Sequence, residues 1–545
     1  MSLFQREIKV SQTDSFTGSW TNLAAIFTLA VVAAIALSTF KDYGIGWDSR
    51  VQATYGQKLV SFYLSGFQDR SAFTYSDLRF YGGFFDIVAA LLNRISPFGE
   101  YETRHLLGAV FFLCGLFGAW RLAALLAGAR AALIATLALA TTPLLYGHAF
   151  INPKDSPFAW LLVWVMYFGC RILQSGRSAP AHVHLGFAVA LGLALGTRVF
   201  AFAYVGYLAA VMLAAAVNDR SDAGFGLRPL VRVGCLLPLA IAIMLAFWPW
   251  AALGSANFFN SVDTFLHFPH RVPVLWEGET LQSTAPPGSY LLVLLGVQLP
   301  EYLLVGLATV AILALVKVRR LDLGDPHTRM MCFLMASVAA PLVAFLVLRP
   351  TVYNGLRQFL FIVPPLVIIG AIGVDRLLTL CERRKVAFYA ATAFLAFALL
   401  REVTIMTVLH PYEYVAFNDF TGRLAGAVGR FELDYWGTSL GEASRELARL
   451  TQSAAAKGSR KLKVFVCGDR MSAEYYLPKD YQIAATWEEA DFIVAPMEQT
   501  CRGVLKRSPK ILAEVRRAGA VLSRVFDLRP AEAAPPVARP ATPIP

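Results

Sequence analysis

Apolar residues in this chain fall in long unbroken runs, not in the stripes or strict alternations of a soluble domain. A run of about 17 to 22 apolar residues, rising about 1.5 Å per residue as a helix, is long enough to cross the hydrocarbon core of a bilayer. Such runs cover 22–40, 104–123, 131–150, 156–172, 183–197, 199–217, 231–252, 300–316, 331–348, 358–375 and 386–409, which predicts about eleven transmembrane helices. The stretch 183–217 reads either as one run or as two spans hinged at Gly196-Thr197-Arg198.

Between the runs, Phe80 to Ile95 and Gly288 to Leu299 carry apolar residues at helical spacing but are too short to span, and they are expected to lie along the interface. The pattern changes after His410. Leu462–Cys467, Asp491–Ala495 and Val521–Leu528 read as strands, and Leu440–Ala456 and Leu505–Arg517 as amphipathic helices, which predicts a small α/β domain. The tail is rich in Ala and Pro and is expected to be disordered.

The 545 residues are 57% hydrophobic and only 16% charged, which excludes a single soluble domain. The net charge of +12 does not require a nucleic-acid partner, because the basic residues have a topological reading. With the N-terminus inside, the inner loops hold Arg121 and Arg130; Arg171 and Arg177; Arg220, Arg228 and Arg232; Lys317, Arg319, Arg320 and Arg329; and Arg376, Arg383, Arg384 and Lys385. An odd number of spans then places everything after His410 outside. The expected organisation is a cytoplasmic segment 1–21, a membrane domain 22–409 with extracytoplasmic loops at 41–103 and 253–299, an extracytoplasmic α/β domain 410–528 and a tail 529–545.

Of seven cysteines, Cys114, Cys170, Cys235, Cys332 and Cys381 lie in or beside spans as small apolar side chains. Cys467 and Cys501 face the outer compartment, either as a disulfide or as two separately buried thiols. No Cys-x-x-Cys zinc spacing occurs.

Polar groups gather at the outer ends of the spans, where charge is costly and functional by default. Asp48 follows the first span and reads either as a helix N-cap or as a reactive acid. The turn His148-Ala-Phe-Ile-Asn-Pro-Lys-Asp155 returns His148, Asn152, Lys154 and Asp155 to one face, although Asn-Pro is also ordinary turn chemistry. Arg198 lies outside against the positive-inside bias, either meeting an anion or snorkelling. Tyr353 and Arg357 open a later span from the same side. His267, His270 and Arg271 lie in the second long loop, where two His three apart on a helix could hold a divalent metal, though a hydrated loop is the expected reading. No cofactor is indicated. Arg401 and Glu402, adjacent inside the last span, cannot face each other and need separate partners.

An acid after the first span, a surface helix before the second, Asn152-Pro-Lys-Asp-Ser-Pro-Phe158, Gly192-Leu-Ala-Leu-Gly-Thr-Arg198 and Arg357-Gln-Phe-Leu-Phe-Ile-Val-Pro-Pro365 occur here in one order. Together they resemble the GT-C glycosyltransferases, in particular the protein O-mannosyltransferase and aminoarabinose transferase superfamily, over roughly residues 20 to 440. His410-Pro-Tyr-Glu-Tyr-Val-Ala-Phe-Asn418 and Glu432-Leu-Asp-Tyr-Trp-Gly437 add to the likeness. Relatives often carry an acidic pair where Asp48 is followed by Ser49, and their basic residue before the surface helix is matched only loosely by Arg79, near Tyr81.

The resemblance implies inverting transfer of a monosaccharide from a polyprenyl-phosphate lipid to an extracytoplasmic glycan, lipid or protein, in the inner membrane of a bacterium. Asp48 would be the general base, Asp155 a catalytic residue that orients either Lys154 or the acceptor, and Lys154, Arg198 and Arg357 the phosphate ligands, with Arg79, Tyr81, His148, Asn152, His267, His270, Arg271 and Tyr353 as further substrate contacts. The alternative is a transporter or flippase of lipid-linked glycans, which would favour internal repeats and midplane charges. Here no repeat is visible and the charges lie at span ends.

Overall fold

A backbone in hydrocarbon must satisfy its own N–H and C=O groups within the segment, so each apolar run forms helix. In the computed structural model, which describes residues 20–218, 227–317, 322–457, 460–506 and 510–529, α1 (Trp20–Thr39) leads into the shorter α2 (Ser49–Leu64) and α3 (Phe84–Leu92). Next come α4 (Glu100–Ala140), α5 (Pro143–Ile151), α6 (Asp155–Ser175), α7 (Ala181–Leu195), α8 (Ala203–Asn218) and α9 (Arg228–Phe247). The single turn α10 (Pro249–Ala252), then α11 (Asn257–Leu266), a hairpin of β1 (Pro273–Trp276) and β2 (Glu279–Gln282), and α12 (Tyr290–Gln298) form the second long loop. The last membrane helices are α13 (Glu301–Lys317), α14 (Pro326–Leu348), α15 (Val363–Cys381) and α16 (Lys385–Leu409).

Among the described residues, eight helical segments are long and apolar enough to cross a membrane, and Ala181–Leu195 and Glu301–Val316 are shorter apolar helices. The long α4 counts once, although Gly128 (φ 85°) bends it into two legs. The stretch 183–217 breaks at Gly196–Arg198 into two helices, so the hinged alternative holds. The protein is thus a multi-pass, helical membrane protein. The segments expected along the interface form the short helices α3 and α12.

α4 packs on α1, α6 and α15, and α13 lies along α15. That last pair touches through glycine: a Cβ on Gly306 would stand 2.0 Å from the Gly370 carbonyl oxygen, and one on Gly373 1.9 Å from that of Gly306. Gly373→Leu is therefore expected to destabilise the protein by about 1–3 kcal/mol through overpacking. Gly234→Leu, at a glycine with nothing within 4 Å of a built Cβ, should not. The thermal midpoint of the two variants in one detergent checks this; equal midpoints would contradict it.

The partners of the charges in the last span are now visible. Arg401 pairs with Asp419 and lies 3.8 Å from Glu301, while Asp419 also receives Arg423 at 2.6 Å. Glu402 is buried.

Beyond α16, the short α17 (Arg423–Ala427) and the amphipathic α18 (Ser439–Lys457) lead to a five-stranded sheet. Its strands are β3 (Leu462–Val466), β4 (Tyr481–Ile483), β5 (Phe492–Pro496), β6 (Ile511–Arg517) and β7 (Ala520–Asp527), in the order β4-β3-β5-β7-β6. β3 runs parallel to β4 and β5; β7 is antiparallel to β5 and β6. The expected helix 505–517 is a correction: Ile511–Arg517 is a strand, because Ala518 (φ 43°) and Gly519 (φ 81°) form a two-residue hairpin turn that pairs it with β7. Cys467 and Cys501 are joined as a disulfide with Cα atoms 5.9 Å apart. The expected tail beyond 529, the first 19 residues, and Arg220, Arg319 and Arg320 lie outside the described residues.

Candidate active site

α2 begins at Asp48, yet the Asp48 side chain makes no capping hydrogen bond. Its carboxylate instead accepts from Arg357 Nη1 at 3.3 Å. Arg357 opens a 3-10 turn, Arg357–Ile362, that feeds α15, and its guanidinium lies 4.9 Å from the Trp436 ring centre and 4.7 Å from that of Tyr353. The Asp48 side chain is 36% exposed and that of Arg357 only 8%, so the acid faces the cavity with the cation packed behind it. Burial works to raise the Asp48 pKa, but Arg357 first, then Lys154 and Arg198, outweigh it and hold the acid below the usual carboxylate range.

The turn before α6 supplies the next groups. Asn152 Oδ1 accepts the backbone N–H groups of Lys154 (3.2 Å) and Asp155 (2.9 Å), which fixes the entry into the helix. Its Nδ2 lies 3.1 Å from both His148 Nδ1 and Asp155 Oδ2, and His148 Nε2 reaches Tyr435 Oη at 3.0 Å. Asp155 in turn pairs with Arg198, at the break after α7. That break is held by the surface segment before α3, where Phe84 N donates to Gly196 O at 3.0 Å. A Cβ on Gly82 would stand 2.1 Å from the same oxygen, so only glycine permits this approach. Tyr81 follows suit: Lys154 Nζ sits 3.7 Å above its ring centre, and the Arg198 guanidinium 5.7 Å from it.

These groups border one cavity of about 870 Å³. Asp48, Tyr81, Lys154, Asp155, Arg198, His270, Tyr353 and Arg357 line it, and from them an apolar wall runs over Phe200, Tyr204, Tyr207, Pro341, Ala344 and Leu348 on and before α8 and on α14. Glu432, Tyr435, Glu498 and Gln499, from the chain beyond α16, line it as well. His148 and Asn152 stand one layer behind.

Three expected contacts lie elsewhere. Arg79 covers the Phe80 ring at 4.8 Å and donates to Phe73 O at 3.4 Å, so its charge is turned from the cavity. His267 lies 3.2 Å from Asp263 on the exposed end of α11, and Arg271 is exposed and does not line the cavity. α11 stops at Leu266, so His267 and His270 do not share a helix face. Among the described residues, no three His, Cys, Asp or Glu side chains are grouped to hold a metal ion.

Other groups were not singled out in the sequence. Gln52 lies one turn beyond Asp48 on the same face of α2 and would follow from its i+4 spacing once that helix is recognised. Glu432 accepts from Asn354 N at 3.2 Å, and burial pushes its carboxyl up to about 7. Trp47 donates to Glu498 at 3.4 Å.

No protein-family model matches the chain, and no curated protein matches it by sequence. Solved structures do match in shape. The crystal structure of ArnT, the aminoarabinose transferase of Cupriavidus metallidurans, bound to undecaprenyl phosphate, aligns over 95% of this chain and 100% of its own, at 16% identity and a TM-score of 0.50. The apo oligosaccharyltransferase of Archaeoglobus fulgidus aligns over 88% of this chain and 66% of its own, at 12% identity and a TM-score of 0.50. The chain therefore has the GT-C fold that these two glycosyltransferases share.

Proposed function

We propose that the protein is an inverting glycosyltransferase that moves a monosaccharide from a polyprenyl-phosphate lipid to a hydroxyl of an extracytoplasmic acceptor. The observation that carries this reading is the Asp48 carboxylate set against cations from three separate segments in a cavity that also has an apolar wall. A long prenyl tail suits the apolar wall, and a phosphate suits Lys154, Arg198 and Arg357. The bound undecaprenyl phosphate in ArnT, a protein of the same fold, supports that division.

In the reaction, an acceptor oxygen attacks the anomeric carbon from the face opposite the phosphate while Asp48 takes its proton. The anomeric carbon–oxygen bond breaks, and its electron pair leaves with the polyprenyl phosphate. Asp48 is ionised at neutral pH and ready to accept. Lys154, Arg198 and Arg357 stabilise the negative charge that grows on the leaving phosphate, and that charge raises the proton affinity of nearby Asp48 as the proton arrives. Asp155, expected to orient Lys154 or the acceptor, acts as a positioning residue for Arg198: its carboxylate is committed to Arg198 and Asn152.

Purified protein incubated with radiolabelled undecaprenyl-phosphate sugars and a cell-envelope extract should move label into a non-prenyl product. The absence of both transfer and donor hydrolysis across the common sugars would overturn the reading. Arg198→Ala should weaken undecaprenyl-phosphate binding about 10- to 100-fold, as loss of a charged hydrogen bond does. Arg198→Lys should lose less, because it keeps charge without the forked donor. Titration by intrinsic fluorescence measures both; equal affinities would leave Arg198 a snorkelling side chain.

A further inference from the structure

Of the three cations, Arg198 is held by Asp155 and Arg357 by Asp48, but among the described residues Lys154 has no carboxylate within ion-pair distance. It is held by an amide. In the orientation that satisfies both neighbours, Gln52 donates from its nitrogen to Asp86 Oδ2 at 3.1 Å and accepts from Lys154 Nζ at 2.7 Å. The opposite orientation would set oxygen against carboxylate and NH₂ against ammonium. Asp86 on α3 pairs through its other oxygen with Arg104 on α4, and Gln52, Asp86 and Arg104 are 1%, 5% and 3% exposed. A buried, directional chain, Arg104–Asp86–Gln52–Lys154, thus ends on the cavity wall.

We propose that Gln52, backed by the Asp86–Arg104 pair, is a positioning residue that holds the Lys154 ammonium toward the donor phosphate without neutralising it. This rests on the reading of the cavity as a polyprenyl-phosphate site. A carboxylate in the place of Gln52 would hold Lys154 as firmly but cancel its charge. An apolar side chain would leave the charge and lose the direction. Burial lowers the Lys154 pKa; Asp48 and Asp155 oppose this, while Arg198 and Arg357 add to it. Tyr81 offers its ring face, and Gln52 its oxygen. Removing that oxygen costs the charged form more than the neutral amine, so Lys154 should lose its proton at a lower pH.

The test is binding of undecaprenyl phosphate to the full chain in nanodiscs, measured from acid to alkaline pH. The unsubstituted protein should bind and lose affinity at alkaline pH, and Lys154→Met, lacking that ammonium, should identify which part of the loss belongs to Lys154. Gln52→Met, of similar size but without an acceptor, should bind about tenfold more weakly at neutral pH, with the alkaline loss moved to lower pH. Gln52→Glu should also bind more weakly at neutral pH, with the loss moved the other way. Weaker binding by both with an unmoved alkaline limb would show a merely structural role and overturn the proposal, as would unchanged binding. No binding by the unsubstituted protein would overturn the donor reading, and this inference with it.

Discussion

Asp48→Asn is expected to leave a protein that inserts, purifies and binds undecaprenyl phosphate at least as tightly as the unsubstituted chain, while transfer falls by about two to four orders of magnitude. Asn keeps the size and can still accept from Arg357, so the packing behind Asp48 survives. It also removes negative charge from a site built around an anion, which is why binding should hold or strengthen. What is lost is the group that takes the acceptor proton. A capping role predicts survival of activity, since Asn caps about as well as Asp. The side chain at the start of α2 already makes no cap bond. Turnover with saturating donor and acceptor decides the matter, and a near-normal rate would remove the general base from the mechanism.

Arg357→Ala should lower transfer about 10²- to 10³-fold, the usual cost of removing one preorganised donor from a developing negative charge. It should also change the pH profile in a definite direction. Arg357 is the largest of the cationic influences that hold the Asp48 pKa down against burial, so its loss raises that pKa. Protonated Asp48 cannot act as a base. The acidic limb of kcat/KM therefore moves to higher pH, and the variant loses more activity in mild acid than in mild alkali. Arg357→Lys should keep the limb near its original place with an intermediate rate. An unmoved limb in the Ala variant would mean that Asp48 is not the group titrating.

The membrane helices were legible in the sequence because hydrocarbon leaves the backbone no choice of structure, and a run such as 386–409 cannot fold otherwise. Asp48, Lys154, Arg198 and Arg357 were legible for a related reason: a charge at the mouth of a bundle is costly and stands out. Gln52 did not stand out, because an uncharged amide near a membrane surface carries no such signal until the helix that presents it is known. Arg79 was misleading for the converse reason, its charge being absorbed by Phe80 and the Phe73 carbonyl. In the sheet, β6 mixes Glu514, Arg516 and Arg517 with apolar residues and has register irregularities near Ile511 and Val515. Its alternation is thereby blurred, and pairing with β7 decides its conformation more than its own residues do.

The cavity does not respect the boundary at Leu409. Glu432, Tyr435, Glu498 and Gln499 form one side of it, Arg517 grips Glu442 at 2.8 Å and the His410 carbonyl at 2.9 Å, and Cys501, two residues past Gln499, is bolted to the end of β3. A chain cut after the last helix would be an open trough, missing one wall of the cavity. By the same token, grafting this terminal portion between proteins of the same fold would transplant part of the cavity wall, so that the membrane helices and the terminal sheet could not be traded as separate modules.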